Sequence, residues 1–267
     1  MILMPITSIR WLPLVAGMGA VIGGMCRSAR ADEALYTNDF NGPAGSTYRE
    51  WSSSPIRYFN TVTPKDGSSL DAPAVTNSDS PNREQRYLGP FGGPRLAENT
   101  PDFNRTRVQQ TISLKLEKLP VHKSVTVAFD LYVLSSWDGN NANYGPDRWS
   151  LAVDDGPILL RTTFSNNPKT GAYDLSNQDY PKKDSRFQSR AAAVNTLGSK
   201  FFGDSTYNMS FAFDHTADEL ILNFSSDLFE GKGTDDEAWG LDNVKVVVHP
   251  EATPSGARRQ TKTTKKK

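Results

Sequence analysis

The chain has 267 residues, with 30 basic and 30 acidic side chains, one cysteine and three histidines. The neutral total conceals a division, because residues 32 to 250 hold 29 acidic against 21 basic residues while residues 251 to 267 hold six basic residues and one acid. An acidic body argues against nucleic acid as the ligand of the folded part, since neutralising phosphates takes a basic face, and a single cysteine excludes a disulfide framework.

The first 31 residues carry Arg10, an apolar stretch from Trp11 to Ile22 broken by glycines, and then Ala29-Arg30-Ala31. This pattern predicts a signal peptide at residues 1–31, removed after Ala31. The apolar run falls short of the ~20 residues that span a bilayer, so no transmembrane anchor is expected after removal. Cys26 follows Met25 where a lipobox carries a small residue, which favours ordinary cleavage over lipidation. An exported chain that loses its only cysteine needs a large core or a bound metal to hold it, and its length suits one sandwich domain, residues 32–250.

Ala34 to Phe40 reads as a short strand, followed by the turn-rich Asn41 to Gly45 and then Trp51. From Ser52 to Arg107 the chain is rich in Pro, Asn, Asp, Ser and Gly without a sustained period, which predicts a loop system holding one or two short strands. Alternation then becomes regular. Ile112, Leu114 and Leu116 mark one half-buried strand, and Val125, Val127, Phe129, Leu131 and Val133 mark another that runs toward Trp137. Trp149, Leu151 and Val153, the turn Asp155-Gly156, and Ile158, Leu160, Thr162 and Phe164 describe a hairpin. Asn166 to Gly203 is irregular, with a short helix expected over Arg190–Leu197. Three more alternating runs follow, at Tyr207 to Phe213, Leu220 to Phe224 and Val244 to Val248. The pattern predicts an all-β chain, an antiparallel β-sandwich of jelly-roll type with long irregular loops. Residues 251–267 are a basic tail of low apolar content, for which disorder is expected.

Two acidic loops about a hundred residues apart carry the candidate chemistry. The first offers Asp138, Asn140 and Asp147; the second offers Asp235 and Glu237. Asp and Asn oxygens on strand-connecting loops are the hard ligands that calcium takes, although the same residue types build turns without any metal. Asp235, Asp236 and Glu237 repel one another unless a cation or an arginine compensates, and Arg148 is the expected arginine. Trp51, Trp137, Tyr144 and Trp239 lie near polar loops, where aromatic faces can stack on sugar rings while Arg148 or an amide meets the hydroxyls. Catalysis has less behind it. The three histidines lack metal-ligand spacing, no Gly-x-Ser-x-Gly elbow is present, and no Glu-x-Asp-x-x-Glu strand offers the carboxylate pair of a glycosidase.

Two stretches carry a resemblance. Asn38-Asp39-Phe40-Asn41-Gly42 with Trp51 downstream, and Trp239-Gly240-Leu241-Asp242-Asn243-Val244-Lys245-Val246, resemble the opening and closing strands of extracellular carbohydrate-binding modules with a galactose-binding-like jelly roll. The resemblance implies a structural calcium with Asp242 as leading ligand and oxygens around Asp39 and Asn41 as partners; where that family has Glu, this chain has Asn41. The stretch from Leu119 to Trp149, with the ending Trp-Gly-Leu-Asp-Asn-Val, is similar to an uncharacterised class of secreted bacterial proteins, often planctomycetal, which brings no activity with it. The expected role is an exported, calcium-stabilised, non-catalytic module that binds carbohydrate or another extracellular polymer, at the cell surface, in the periplasm or outside the cell. A structural or adhesive protein that binds protein partners and a polysaccharide-cleaving enzyme are the alternatives.

Overall fold

Period-2 alternation sets the architecture, because each long strand turns its apolar side chains to one face and its polar ones to the other. The computed structural model describes residues 31–60, 68–94, 106–166, 178–181, 192–199, 202–229 and 232–251. The expected signal segment and all of the basic tail beyond Glu251 lie outside these residues. Among the described residues, fourteen strands form two sheets. The first holds β1 (Glu33–Asn38), β5 (Asn77–Asp79), β6 (Arg86–Phe91), β8 (Ser124–Ser135), β11 (Ala193–Val194), β12 (Asp204–Asp214) and β14 (Glu237–His249). The second holds β2 (Trp51–Ser53), β3 (Ile56–Asn60), β4 (Ser68–Leu70), β7 (Thr106–Glu117), β9 (Arg148–Val153), β10 (Ile158–Thr163) and β13 (Glu219–Leu228).

Strand order is β11-β12-β8-β14-β6-β5 in the first sheet and β10-β9-β13-β7-β3-β4 in the second, and every pairing is antiparallel. The result is the jelly-roll sandwich expected from the alternation. Its core lies between the sheets. Val125, Val127, Phe129, Leu131 and Val133 of β8 and Trp239, Leu241, Val244, Val246 and Val248 of β14 face Ile112 and Leu114 of β7, Leu222 and Phe224 of β13, and Trp149 and Leu151 of β9. Each fully buried Val, Leu or Phe side chain contributes about 1.5–3 kcal/mol relative to leaving it in water.

The first and last strands lie side by side, with Glu33 opposite Val248 and Asn38 opposite Val244. β6 occupies the same edge of β14 further toward its start, where Trp239 faces Phe91 and Leu241 faces Leu88. Between them β14 bulges: Asp242 pairs with Asp130 and Lys245 with Ala128, so one extra residue is inserted. Asn243 takes the left-handed conformation there, φ 50°, which Asn tolerates better than most residues. The hairpin around Asp155-Gly156 forms as its turn predicts, with Leu160 opposite Leu151.

Two expectations fail. The stretch from Ser52 to Arg107 supplies β3, β4, β5 and β6, and β2 overlaps its start, rather than one or two strands. These strands are three to six residues long and sit at or near sheet edges, too short for alternation to register. The helix expected over Arg190–Leu197 is absent from the described part, 192–199, where β11 forms instead. The buried Asp204 carboxylate accepts the backbone N–H groups of Leu197 and Ser199 at 3.1 and 3.0 Å, holding them in a loop. Among the described residues no helix is long and apolar enough to cross a membrane.

Candidate functional site

The two acidic loops meet at one end of the sandwich, because β8 and β14 are neighbours in register. Glu237 pairs with Ser135 at the end of β8. Just beyond, the Ser136 backbone N–H donates to the Asp236 carbonyl at 2.9 Å, and the Ser136 hydroxyl donates to the Asp236 carboxylate. Trp137 Nε1 donates to the Ala238 carbonyl at 2.8 Å, so the indole ties one loop to the other. Gly92, at the end of β6, is required by this crossing: a Cβ on it would lie 2.4 Å from the Glu237 carbonyl oxygen.

Asp138, Asp147 and Glu237 converge here, with one carboxylate oxygen from each within 4.8 Å of the others. All three are buried, at 8, 0 and 3 % exposure. Asp147 is held by the backbone: its oxygens accept the N–H groups of Asp138 at 2.5 Å and Phe229 at 3.0 Å. Glu237 differs, since neither of its buried carboxylate oxygens accepts a hydrogen bond. Its polar neighbour is the Asp147 carboxyl, which can bond to it only while one of the two holds a proton. Burial first, and then the charges of Asp147 and Asp138, push the Glu237 carboxyl well above the ordinary range; burial likewise raises Asp147.

Among the described residues the nearby basic side chains are engaged elsewhere. Arg107 acts on Asp147 electrostatically, but its guanidinium is committed to Asp227 at 2.7 Å and to the Pro146 carbonyl at 2.9 Å. Lys232 pairs with Asp236 at 3.0 Å. Arg148, expected as the partner of Glu237, lies 3.6 Å from Asp227 instead. Three carboxylate oxygens this close are the kind of donor set that a hard divalent cation such as calcium takes.

The other expected metal ligands are placed apart from this cluster. Asn140 donates to Asp179 at 2.8 Å, and Asp235 is exposed in the single 3₁₀ turn Gly233–Asp235. Asp39 is exposed and accepts the Asn41 N–H at 3.2 Å. Asp242 is buried, accepting from the Tyr132 hydroxyl at 2.9 Å and the Asn243 N–H at 2.7 Å, and burial lifts its carboxyl to about 6. In the loop after β1, the Phe40 and Gly42 carbonyls accept from the Asn77 amide at 2.7 and 2.9 Å. β1 is thus held to β14 by strand pairing, and the loop after it by the Asn77 amide.

The expected sugar platform is corrected. Trp137 and Trp239 have no exposed surface and Trp51 has 5 %, because their rings pack between the sheets. Trp51 stands edge-on to Phe40, and Trp239 edge-on to Trp149. Tyr144 alone of the four aromatics is exposed, at 42 %.

A second feature lies on the outer face of the β10-β9-β13-β7-β3 sheet. Cross-strand register places Arg161, Ser150, Ser225 and Thr111 in one row, and Arg148, Asp227, Gln109 and Arg57 in the next. A groove of about 280 Å³ follows these rows between Ile158 and Gln109. Its floor is small because Ser150, Ala152, Ser225 and Thr111 stand at its centre, and the Thr111 and Ser225 hydroxyls bond to each other at 2.8 Å. Only Arg148 of this set stands out in the sequence. The available hint is that the outward positions of β7, β9 and β13 hold small hydroxyl residues where a merely solvated face would hold Lys and Glu.

No protein family and no curated protein matches the chain. Solved structures show distant likenesses: TmCBM27, a carbohydrate-binding module described for mannan recognition, shares 13 % identity with a TM-score of 0.41, over 82 % of this chain and 99 % of that one. A cyclase from Fischerella sp. TAU shares 14 % identity at a TM-score of 0.32, covering 84 % of this chain and 100 % of that one. The K2 cleaved adhesin domain of Lys-gingipain shares 13 % at 0.28, covering 81 % and 97 %. Similarity this low carries nothing toward function, and the three neighbours' descriptions differ among themselves.

Proposed function

We propose that the protein is an exported, non-catalytic binding module for carbohydrate, with calcium held by Asp138, Asp147 and Glu237 as a structural ion. The carbohydrate reading rests on the outer-face groove. Guanidinium, amide and hydroxyl groups line a shallow channel whose floor is a ladder of short side chains, the donor and acceptor set that sugar hydroxyls need. Asp227 is the one carboxylate in its described lining, and it is tied to both Arg107 and Arg148. Glycoside hydrolysis uses two carboxyl groups flanking the bond, so the lining favours holding a glycan over cutting it.

The calcium reading rests on the buried Glu237 carboxylate that accepts no hydrogen bond beside two further carboxylates. The ion would join the loop after β8 to the start of β14, replacing repulsion by shared coordination. Its effect would be on stability. A glycan array probed with the calcium-loaded protein, and with the variant Ser225→Trp that fills the groove floor, tests the carbohydrate reading. Wild type retains a subset of glycans and the filled variant retains none; equal retention by both would place the site elsewhere.

A further inference from the structure

We infer that the groove selects an anionic glycan, one bearing uronate carboxylates or sulfate esters. This deepens the carbohydrate reading and rests on it. The observation behind it is a local surplus of positive charge on a protein whose body holds 29 acidic against 21 basic residues.

Three arginines share the outer face. Arg161 stands on β10 and Arg57 on β3, both exposed, and neither forms an ion pair among the described residues. Four strand spacings separate β10 from β3, about 19 Å, enough for several sugar rings. Arg148 lies between them, its side chain 40 % exposed. The nearest carboxylate is Asp227, whose closer partner is Arg107 at 2.7 Å, against 3.6 Å for Arg148. Arg107 is itself buried and bonds both the carboxylate and the carbonyl of Asp227, which leaves Arg148 with charge to spare. The other end of this face is acidic: Asp154 accepts from the neutral Asn223 amide at 3.0 Å, and a single Lys115 bridges Glu117 and Glu219, each at 3.0 Å.

A guanidinium presents a planar fork that matches carboxylate and sulfate oxygens in pairs. The short floor residues let an anionic group reach the fork. A ligand without negative charge would leave three guanidiniums competing only with water, and gain less from the same face. Selectivity should therefore follow charge and weaken with salt, since the arginines lie within reach of screening ions.

The test is titration calorimetry on the calcium-loaded full chain with oligogalacturonate, dextran sulfate, and the neutral oligomers mannan and dextran. The carboxylate and sulfate arms separate the two sources of negative charge. We expect at least one anionic oligomer to bind ten-fold or more tightly than either neutral one, with affinity falling as salt rises. Arg161→Gln and Arg57→Gln should each weaken it several-fold, and Lys115→Gln, at the opposite, acidic end of the face, should leave it unchanged. Equal binding of neutral oligomers overturns the charge preference and keeps the groove as a carbohydrate site. No binding of any glycan overturns both. Tight anionic binding unaffected by the arginine substitutions overturns the assignment to this face.

Discussion

Glu237 is where the chain concentrates unfavourable electrostatics: a carboxylate at 3 % exposure, facing two others, with no hydrogen bond accepted. Removing its charge while keeping its shape separates the two states of the site. In chelator, Glu237→Gln should melt higher than wild type, because the folded chain no longer buries a carboxyl that must either hold a proton or repel Asp138 and Asp147. With calcium, the variant should lose most of the stabilisation the ion provides, which for wild type amounts to about 2.7 kcal/mol at a hundred times the dissociation constant. Parallel calorimetric melts decide this, and a variant that gains as much as wild type from calcium would place the ion elsewhere. Protonation acts at the opposite end of the sandwich. His122 Nδ1 lies 2.6 Å from the Pro120 carbonyl and must donate to it, so its Nε2 accepts from His215 Nδ1 at 2.8 Å. Burial, and then the neighbouring His122, lower the His215 pKa from 6.5. A histidine depressed in the folded state resists a proton that the unfolded chain accepts. The contribution of His215 to stability is therefore complete above pH 6.5 and is lost as the pH drops through that value. The raised carboxyls of Asp147, Glu237 and Asp242 act in the opposite sense over the same range, so the histidine pair is read as a difference: in urea unfolding between pH 7.5 and 5.5, wild type should lose stability relative to His215→Gln as the pH falls, and parallel profiles would exclude the pair.

At the scale of elements, the sandwich is closed by contacts between strands of different sheets. Tyr36 of β1 and Trp51 of β2 belong to opposite sheets, and the Trp51 Nε1–H donates to the Tyr36 hydroxyl at 2.7 Å. Tyr36→Phe leaves a buried indole N–H without its acceptor, which costs about 1–3 kcal/mol; a midpoint in urea unchanged from wild type would show the bond to be dispensable. The long elements were legible in the sequence for a physical reason. β7, β8, β12, β13 and β14 each run ten residues or more with one face in the core, so alternation repeats often enough to be read. Pairing of β1 with β14 was also legible, from the habit of jelly rolls. β2 to β5 were not: their partners cover only part of β7 or the edge of β6, and their outward residues are as polar as those of loops. The acidic loops were visible individually, but their junction depends on the register of β8 against β14, which no local pattern records. The tryptophans misled for the same reason, since polar neighbours in sequence are not neighbours in space. Trp137 is flanked by Ser136 and Asp138, yet its ring packs edge-on to Phe164.

For the whole molecule, the two proposed roles rest on separate features of the fold. The end of the sandwich holds the carboxylate cluster, and the outer face of the second sheet holds the groove, so an ion that stiffens the first need not touch a ligand in the second. Chelation should lower the melting temperature while leaving glycan affinity at low temperature little changed. The loops after β8 and before β14 are distant in sequence and carry no disulfide, so the proposed ion would supply the cross-link that a disulfide otherwise provides. The most direct measurement is calorimetric: calcium titrated into metal-free protein, followed by thermal unfolding with and without chelator. The account predicts saturable binding that includes one ion lost in Glu237→Gln, and a melting temperature several degrees higher in calcium. Absence of binding heat together with identical melts in calcium and chelator would contradict it.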